Sequence, residues 1–186
     1  RPQDAVQEHV PIYVEKSLAG GERLHDDWGV DGTTGYEFMN QVSLLQHDPA
    51  GESLLCSLWS ETSGRTTDFM EEARQARQLV LTGPLAGDFE TVALSLLQVA
   101  RGDVMTRDIT LGAIRRALLE LIIHFPVYRT YIAAPGRREA DEPFFQQALD
   151  GAKTTLSEAD WPLLEHLQRW LQAAAGQAQL APYVMG

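Results

Sequence analysis

Apolar and polar residues follow each other with the period of an α-helix along most of this chain. The clearest case is residues 108–125, DITLGAIRRALLELIIHF, where apolar side chains recur at helical spacing. That stripe consists of Leu111, Ile114, Leu118, Leu121, Ile122 and Phe125. Pro126 lacks an amide hydrogen and cannot continue a helix, so the helix should end just before it. The pattern predicts an amphipathic helix with one face buried in a helical core.

The same periodicity predicts further helices elsewhere in the chain. They cover residues 48–59, 68–83, 89–101, 143–153 and 157–173. Asp48 is a suitable N-cap, and Pro49 suits the first helical position, where a missing amide hydrogen has no cost. Ser157 and Asp160 resemble a capping box with aspartate in place of glutamate. The chain should therefore be mainly α, a helical bundle or array.

A short apolar run, Ile12 to Val14, differs from the rest because it has the character of a strand. It ends abruptly at the charged pair Glu15 and Lys16. The hexapeptide VYRTYI, residues 127–132, also alternates but is too short to assign as a strand. A lone strand has unpaired backbone groups on both edges, so the run should pair with a sheet outside this chain. We expect a helical chain with a short extended N-terminal segment.

Composition bounds the class of protein. The chain has 186 residues, enough for one ordinary domain, and its 44% hydrophobic and 22% charged residues are typical of a globular fold. Cys56 is the single cysteine, so neither an internal disulfide nor a cysteine-based metal site can form. A reducing, cytoplasmic location is expected on that basis. The histidines lack metal-ligand spacing, and GTTG lacks the lysine of a phosphate loop, so no metal and no cofactor are expected.

Charge and hydropathy argue against two kinds of partner. The net charge is −11, from 26 acidic and 15 basic residues, and this balance repels nucleic acid. No window approaches the ~20 apolar residues of a membrane span. The first residues, RPQDAVQEHV, resemble neither a signal peptide nor a transit peptide. Because they also lack an initiating methionine, we expect the chain to be a piece of something longer.

Candidate chemistry is concentrated near the N-terminus. Glu15, at the C-terminal end of a strand, occupies the position where barrel enzymes place catalytic groups and is a candidate general acid. The loop that follows brackets Thr33 and Thr34 between Trp28 and Tyr36. Aromatic faces stack on sugar rings while polar groups hold the hydroxyls, so this loop is a candidate carbohydrate site. The alternative is a solvated strand end, followed by a turn whose aromatic residues have ordinary packing roles.

A second candidate lies in FPVYRTYI, residues 125–132. In an extended backbone Arg129 and Tyr131 share one face. The guanidinium group of Arg129 could pair with a carboxylate or donate to sugar hydroxyls. A structural tether after Pro126 is the alternative.

Three segments resemble, in the same order, signature segments of maltooligosyltrehalose synthases. They are VEKSLAGGERLHDDWGVDGTTGYEFMNQV at 14–42, HDPAGE at 47–52 and FPVYRTYI at 125–132. The departures from the family pattern are Ser17-Leu18 in place of Ile-Leu, and Glu37 in place of Asp. The resemblance extends from about residue 11 to residue 132, whereas residues 133–173 share only helical character.

This resemblance implies an enzyme of the α-amylase clan, with a catalytic (β/α)8 barrel that carries helical insertions. Such enzymes convert the reducing-end α-1,4 linkage of a maltooligosaccharide into the α,α-1,1 linkage of trehalose, by a retaining mechanism. By resemblance, Glu15 is the acid/base. The residues assigned to substrate are Trp28, Thr33, Thr34 and Tyr36, with Arg129 and Tyr131 contacting substrate or docking the helical insertion on the barrel. Residues 1–40 would be a barrel strand and substrate loop, and residues 41–186 the helical insertion.

The family's nucleophilic aspartate and third catalytic aspartate lie in motifs that this sequence does not contain. We therefore expect the isolated chain to be inactive, with the parent barrel and a maltooligosaccharide as its partners. The competing hypothesis is a non-catalytic helical protein-interaction domain; a nucleic-acid regulator is disfavoured by the charge. The two hypotheses predict different strand pairing for the run Ile12–Val14. A free-standing module should pair this run within its own chain, whereas an excised enzyme piece should leave it loose or pair it with another copy.

Overall fold

The computed structural model describes residues 9–133 and 136–172, and the chain divides into two compact units, residues 1–65 and 66–186. We call these unit 1 and unit 2. The described residues form seven α-helices and two sheets of two strands each. The predicted mainly α fold with a short extended N-terminal segment is confirmed.

Unit 1 begins with a pair of parallel strands, β1 (Tyr13–Val14) and β2 (Gly32–Thr33). The prediction that the run Ile12–Val14 pairs with nothing in this chain is therefore wrong. The chain returns to this run because Asp31 binds Ile12 twice. The Asp31 amide donates to the Ile12 carbonyl oxygen at 2.8 Å, and the Asp31 carboxylate accepts from the Ile12 amide at 2.7 Å. A strand of two residues has no alternation that a sequence pattern can reveal.

Two helices follow in unit 1, α1 (Tyr36–Leu44) and α2 (Glu52–Ser63). Asp48 acts as a cap, but of the 3-10 turn Pro49–Gly51 that leads into α2: its carboxylate accepts a backbone N–H of that turn at 2.9 Å, whereas α2 itself starts after Gly51 without a side-chain cap. Neither helix buries any residue. Among the described residues of unit 1, Lys16 alone is buried. This part of the chain therefore has no apolar core of its own.

Unit 2 is an array of helices around a central one. Its helices are α3 (Phe69–Thr82), α4 (Ala86–Arg101), α5 (Leu111–Ile123), α6 (Glu142–Thr155) and α7 (Trp161–Gln172). Helix α5 contacts the other four. Its predicted apolar stripe forms the middle of the core, where Ile114 is fully buried and Leu118 and Leu121 nearly so. The predicted amphipathic helix is confirmed, and it ends at Ile123, before Pro126.

Side chains fix the starts of several helices in unit 2. The carboxylate of Asp68 accepts two amide hydrogens at the start of α3, and the hydroxyl of Thr110 caps α5, which therefore begins later than predicted. The hydroxyl of Ser157 accepts an amide hydrogen at 3.3 Å. The carboxylate of Asp160 instead binds the guanidinium of Arg116 at 3.0 and 3.1 Å. Only the serine half of the predicted capping box therefore acts as a cap.

Between α5 and α6 the chain forms an antiparallel hairpin of β3 (Ile132–Ala133) and β4 (Gly136–Arg137). Only the last residue of the hexapeptide VYRTYI lies in a strand. No single described helix is long and apolar enough to cross a membrane, although α3 and α4, bent by 82°, meet the length and composition criteria together. The division expected after residue 40, into parts of a parent enzyme, stays a prediction.

Candidate functional site

The carboxylate of Glu15 follows directly on the end of β1 and is exposed. Side chains alternate across a strand, so Glu15 points to the face opposite Val14 and Lys16. This alternation matches the burial, because Val14 is half-buried and Lys16 is buried. The structure thus presents Glu15 to solvent between two better-buried neighbours.

The strand pairing places the two candidate threonines beside the residue that precedes Glu15. Val14 is the register partner of Thr33, and the Thr34 amide donates to the Val14 carbonyl oxygen at 3.0 Å. The two side chains differ in their surroundings. The Thr33 hydroxyl donates to Glu37 at 2.7 Å and accepts from the following turn at 3.1 Å, whereas the Thr34 side chain is exposed.

The two candidate aromatic residues lie at either side of β2. Trp28 ends a 3-10 turn, Asp26–Trp28, is half-buried, and meets the His25 ring edge-on with 5.1 Å between ring centroids. Tyr36 opens α1 and is 39% exposed. The backbone reaches α1 through Gly35, whose φ of 87° is a left-handed conformation that favours glycine. Both rings therefore keep accessible surface.

A buried ion pair lies next to Glu15, and the sequence patterns gave no sign of it. The ammonium of Lys16 binds a carboxylate oxygen of Glu22 at 2.5 Å, and each side chain is only 8% exposed. The two residues are six positions apart, and neither a helix nor a strand brings side chains at that spacing together. Strand alternation could have indicated that Lys16 shares the inner face with Val14. The partner could not be inferred, because it depends on the turn at Gly20 and Gly21.

Two carboxylates of unit 1 have a lowered pKa. The hydroxyl of Thr33 is the main cause of the lowered pKa of Glu37, and the backbone amides of Glu37 and Leu18 and the positive charge of Lys16 act in the same direction. The amide of Ile12, and then His9, lower the pKa of Asp31. Both sets of hydrogen bonds favour the ionised form of the carboxylate. The described residues contain no group of three or more His, Cys, Asp or Glu placed to hold a metal ion.

Arg129 and Tyr131 belong to unit 2, where they contact each other. The guanidinium carbon of Arg129 lies 4.7 Å from the centroid of the Tyr131 ring, a cation–π geometry. This contact agrees with the shared face predicted for the two residues, and their role in substrate binding or docking stays a prediction. Arg129 also lines a cavity of about 670 Å³. Its walls are mostly apolar and include Val80, Leu81, Leu85, Ile122, Phe125, Val127 and Phe145.

Two further arginines line this cavity and have opposite surroundings. Arg77 donates to the carbonyl oxygens of Ile123 and Phe125 at 2.9 and 2.8 Å, and so satisfies groups at the end of α5. The side chain of Arg137 is 3% exposed, and its guanidinium lies 3.6 Å above the Phe145 ring. It has no hydrogen-bond partner among the described residues, although Glu142 lies 3.3 Å away. Burial lowers the pKa of Arg137, and Glu142 opposes that effect.

Comparison with known proteins connects this chain to one enzyme. No protein-family model matches it, and no curated protein matches it by sequence. The solved structure of DSM5389 glycosyltrehalose synthase is 28% identical and covers 87% of this chain, with a TM-score of 0.57. The chain spans 19% of the length of that protein. The resemblance to maltooligosyltrehalose synthases is thereby confirmed: this chain is similar to a segment of a glycosyltrehalose synthase.

Proposed function

We propose that this chain is the part of an α-glucan glucosylmutase that carries its general acid/base, Glu15. The substrate would be a maltooligosaccharide whose reducing-end α-1,4 linkage becomes an α,α-1,1 linkage. The observation that carries the proposal is the similarity to a glycosyltrehalose synthase over 87% of the chain. The position of Glu15 at the end of a strand in a parallel pair supports it, because barrel enzymes place catalytic groups at such strand ends.

The proposed reaction uses Glu15 twice. Protonated Glu15 donates to the glycosidic oxygen, and the bond from the anomeric carbon to the terminal glucose breaks. A carboxylate supplied by the parent enzyme, about 5–5.5 Å away, forms a glycosyl bond to that carbon. Ionised Glu15 then accepts the proton of the anomeric hydroxyl of the retained glucose. That oxygen attacks the glycosyl-enzyme, the new α,α-1,1 bond forms, and the nucleophile leaves.

We assign substrate contacts to the loop around β2. Trp28 and Tyr36 keep accessible ring surface that could stack on sugar rings. The exposed hydroxyl of Thr34 is free to bind a sugar hydroxyl. Thr33 would support the site indirectly, because its hydroxyl donates to Glu37. Arg129 is proposed either to reach substrate or to dock the helical part on the barrel.

Water must be kept from the glycosyl-enzyme, or hydrolysis replaces isomerisation. We propose that the helical part and the ring of Trp28 help to exclude it. Trp28→Ala in the full-length parent should raise the ratio of released glucose to trehalose-ended product. Quantitative chromatography of both products measures this ratio. An unchanged ratio with wild-type turnover would contradict the role of Trp28.

The isolated chain should be inactive, because the sequence contains no motif for the nucleophile. A cytoplasmic location stays an expectation that rests on the single cysteine.

Glu15→Gln in the full-length parent tests the proposal directly. Glutamine keeps the shape of the side chain but cannot donate a proton as an acid, so turnover of a maltooligosaccharide should fall by several orders of magnitude. Glu165→Gln, at an exposed position of α7, is the matched control and should keep wild-type turnover. Circular dichroism must show both variants folded. Near-normal turnover of Glu15→Gln would reject the proposal.

A non-catalytic interaction domain remains the second candidate, because one observation favours it. The run Ile12–Val14 pairs with β2 inside the same chain, which a free-standing module should achieve and an excised piece need not. The exposed apolar residues of α1 and α2 would then be its contact surface. Activity of the Glu15→Gln variant would support the interaction domain over the glucosylmutase.

A further inference from the structure

The turn that follows Glu15 is closed by a buried salt bridge. The Glu22 amide donates to the Ala19 carbonyl oxygen at 3.0 Å, through a turn in which Gly21 has a φ of 80°. This reversal brings Glu22 back to Lys16. One oxygen of the Glu22 carboxylate binds the Lys16 ammonium at 2.5 Å, and the other accepts from the Ala19 amide at 2.9 Å. The residue immediately after Glu15 is thus anchored inside unit 1.

The charge of the same lysine also acts on a second carboxylate, that of Glu37. The positive charge of Lys16 and the amide of Leu18 both contribute to the lowered pKa of Glu37, after the larger effect of Thr33. One oxygen of Glu37 accepts from the Thr33 hydroxyl at 2.7 Å. Its other oxygen is buried and has no hydrogen-bond partner among the described residues. The charge of Lys16 therefore acts on two carboxylates, those of Glu22 and Glu37.

This network joins the two segments that carry the candidate chemistry. Lys16 and Glu22 belong to the segment that starts at Glu15, whereas Thr33 and Glu37 belong to the segment that connects β2 to α1. Unit 1 buries no apolar side chain among its described residues, and Lys16 is its one buried residue there, at 7% exposure. Apolar residues of this region, such as Val14 and Leu18, are only half-buried, so the buried charged hydrogen bonds contribute most to specifying its geometry.

Burial of charge is a costly way to gain stability, and its best-attested use is to specify one arrangement. Catalytic groups must be held within about 0.5 Å of their productive position. The backbone at Glu15 is fixed on one side by the bond from the Thr34 amide to the Val14 carbonyl oxygen. On the other side it is fixed by Lys16. A shift of Lys16 would therefore rotate the backbone that carries Glu15.

We propose that Lys16 is a positioning residue, whose buried ammonium group, held by Glu22, orients the carboxylate of Glu15 for proton transfer. The proposal rests on the proposed function of Glu15. Lys16 itself touches no substrate and transfers no proton. Its effect should therefore appear in the chemical step and in the partition between isomerisation and hydrolysis, and not in substrate binding.

The test uses the full-length parent enzyme with a maltooligosaccharide. Lys16→Met alone leaves two carboxylates without their cation, so the double variant Lys16→Met/Glu22→Gln, which removes both charges of the pair, is the main variant. We expect kcat to fall about 10- to 100-fold, as for a misplacement near 1 Å, with KM within about threefold of wild type. The share of hydrolysis should rise. Lys16→Arg keeps the positive charge, so its kcat should lie between that of the double variant and that of the wild type.

The outcomes separate this proposal from the proposed function. If Glu15→Gln is inactive while the folded double variant has wild-type kcat and product ratio, the positioning role is overturned and the acid/base role stands. If Glu15→Gln is active, the proposed function fails first. Should the double variant not fold, Glu22→Gln alone gives a milder release of Lys16, because it removes the negative charge of the pair and keeps the shape of the side chain. An unchanged kcat and product ratio in that variant would then overturn the proposal, and a lowered kcat at constant KM would support it.

Discussion

At the scale of single residues, Arg77 and Arg137 show that two arginines in the wall of one cavity can have opposite effects on stability. Arg77 donates to two carbonyl oxygens at the end of α5, where a helix leaves such groups without partners. Arg137 is buried without a hydrogen bond among the described residues. A buried charge has a large desolvation cost, and the partner that Arg137→Met would leave behind, Glu142, is 42% exposed and can be solvated.

We predict that Arg77→Met lowers the free energy of unfolding by about 1–3 kcal/mol, because two carbonyl oxygens lose their donor. Arg137→Met should leave the free energy of unfolding unchanged or raise it by about 1 kcal/mol. Denaturant titrations of the 186-residue chain, followed by far-UV circular dichroism, measure both values. Each variant is the control for the other. A larger loss for Arg137→Met than for Arg77→Met would show that Glu142 outweighs the burial cost.

Glu37 supplies a pH-dependent prediction at the same scale. Its pKa in the folded chain lies below its ordinary 4.5, chiefly because Thr33 donates to it. A lowered pKa stabilises the fold above pH 4.5, and this contribution disappears as the pH falls through the folded pKa. Thr33→Val should therefore raise the pKa of Glu37 and reduce the acid sensitivity of unit 1. NMR titration of the Glu37 carboxyl carbon measures the shift, with Thr34→Val as the control that should not change it.

At the scale of elements, the packing of α6 against the end of α5 depends on one glycine. A methyl group added at Gly151 would lie 2.7 to 2.9 Å from atoms of His124, closer than such atoms approach. The ring of His124 cannot retreat easily, because its Nδ1 is 2.9 Å from the Glu120 carbonyl oxygen and its side chain is 8% exposed. The side chain of His124 therefore packs directly against Gly151.

We therefore predict that Gly151→Ala lowers the melting temperature, because overpacking costs about 1–3 kcal/mol. This loss should exceed the gain of up to about 1 kcal/mol that alanine normally brings to a helix. Gly87→Ala in α4 is the matched control, since nothing lies within 4 Å of its added methyl group. That control should be neutral or stabilising. Equal melting temperatures for both variants would mean that α5 and α6 shift apart without cost.

Elements with a long periodic pattern were the ones that the sequence could predict. The predicted stripe of α5 and its observed buried face share Ile114, Leu118 and Leu121, whereas Ala117 and Ile123 are buried in addition. The β1–β2 pair could not be predicted, because each strand has two residues and their pairing depends on the side chain of Asp31. The start of α5 was missed by three residues, from Asp108 to Leu111, because the cap is a threonine hydroxyl.

The candidate site was predictable only in part. Glu15 and the loop from Trp28 to Tyr36 were found by residue type and by resemblance to a family. The pair of Lys16 and Glu22 was not, because a buried charge pair depends on a turn that folds one side chain back onto the other. Charged residues are usually solvated, so a sequence gives no reason to bury these two.

At the scale of the whole molecule, the two units differ in how they are stabilised. Unit 2 surrounds α5 with a core of fully buried side chains, among them Leu96, Ile114 and Leu164. The helices of unit 1 bury none, and Phe38 and Leu45 are 70% and 86% exposed. Exposed apolar surface of this kind marks an interaction site on a soluble domain. If the chain is a segment of a longer enzyme, the remainder of that enzyme is the natural candidate to cover it.

Hydrogen exchange should show whether the remainder of a longer enzyme covers the apolar surface of unit 1 or leaves it exposed. In the isolated chain we predict that amides of α1 and α2 exchange much faster than those of α4 and α5, because a local opening in unit 1 exposes no buried core. In the full-length parent the amides of α1 and α2 should become strongly protected, while those of α5, already buried in unit 2, serve as the internal control and change little. Mass spectrometry of peptic fragments measures both samples under the same conditions. If α1 and α2 exchange equally fast in the parent, no other part of the enzyme covers them, and the apolar surface of unit 1 would be available to a separate partner, as the interaction-domain hypothesis requires.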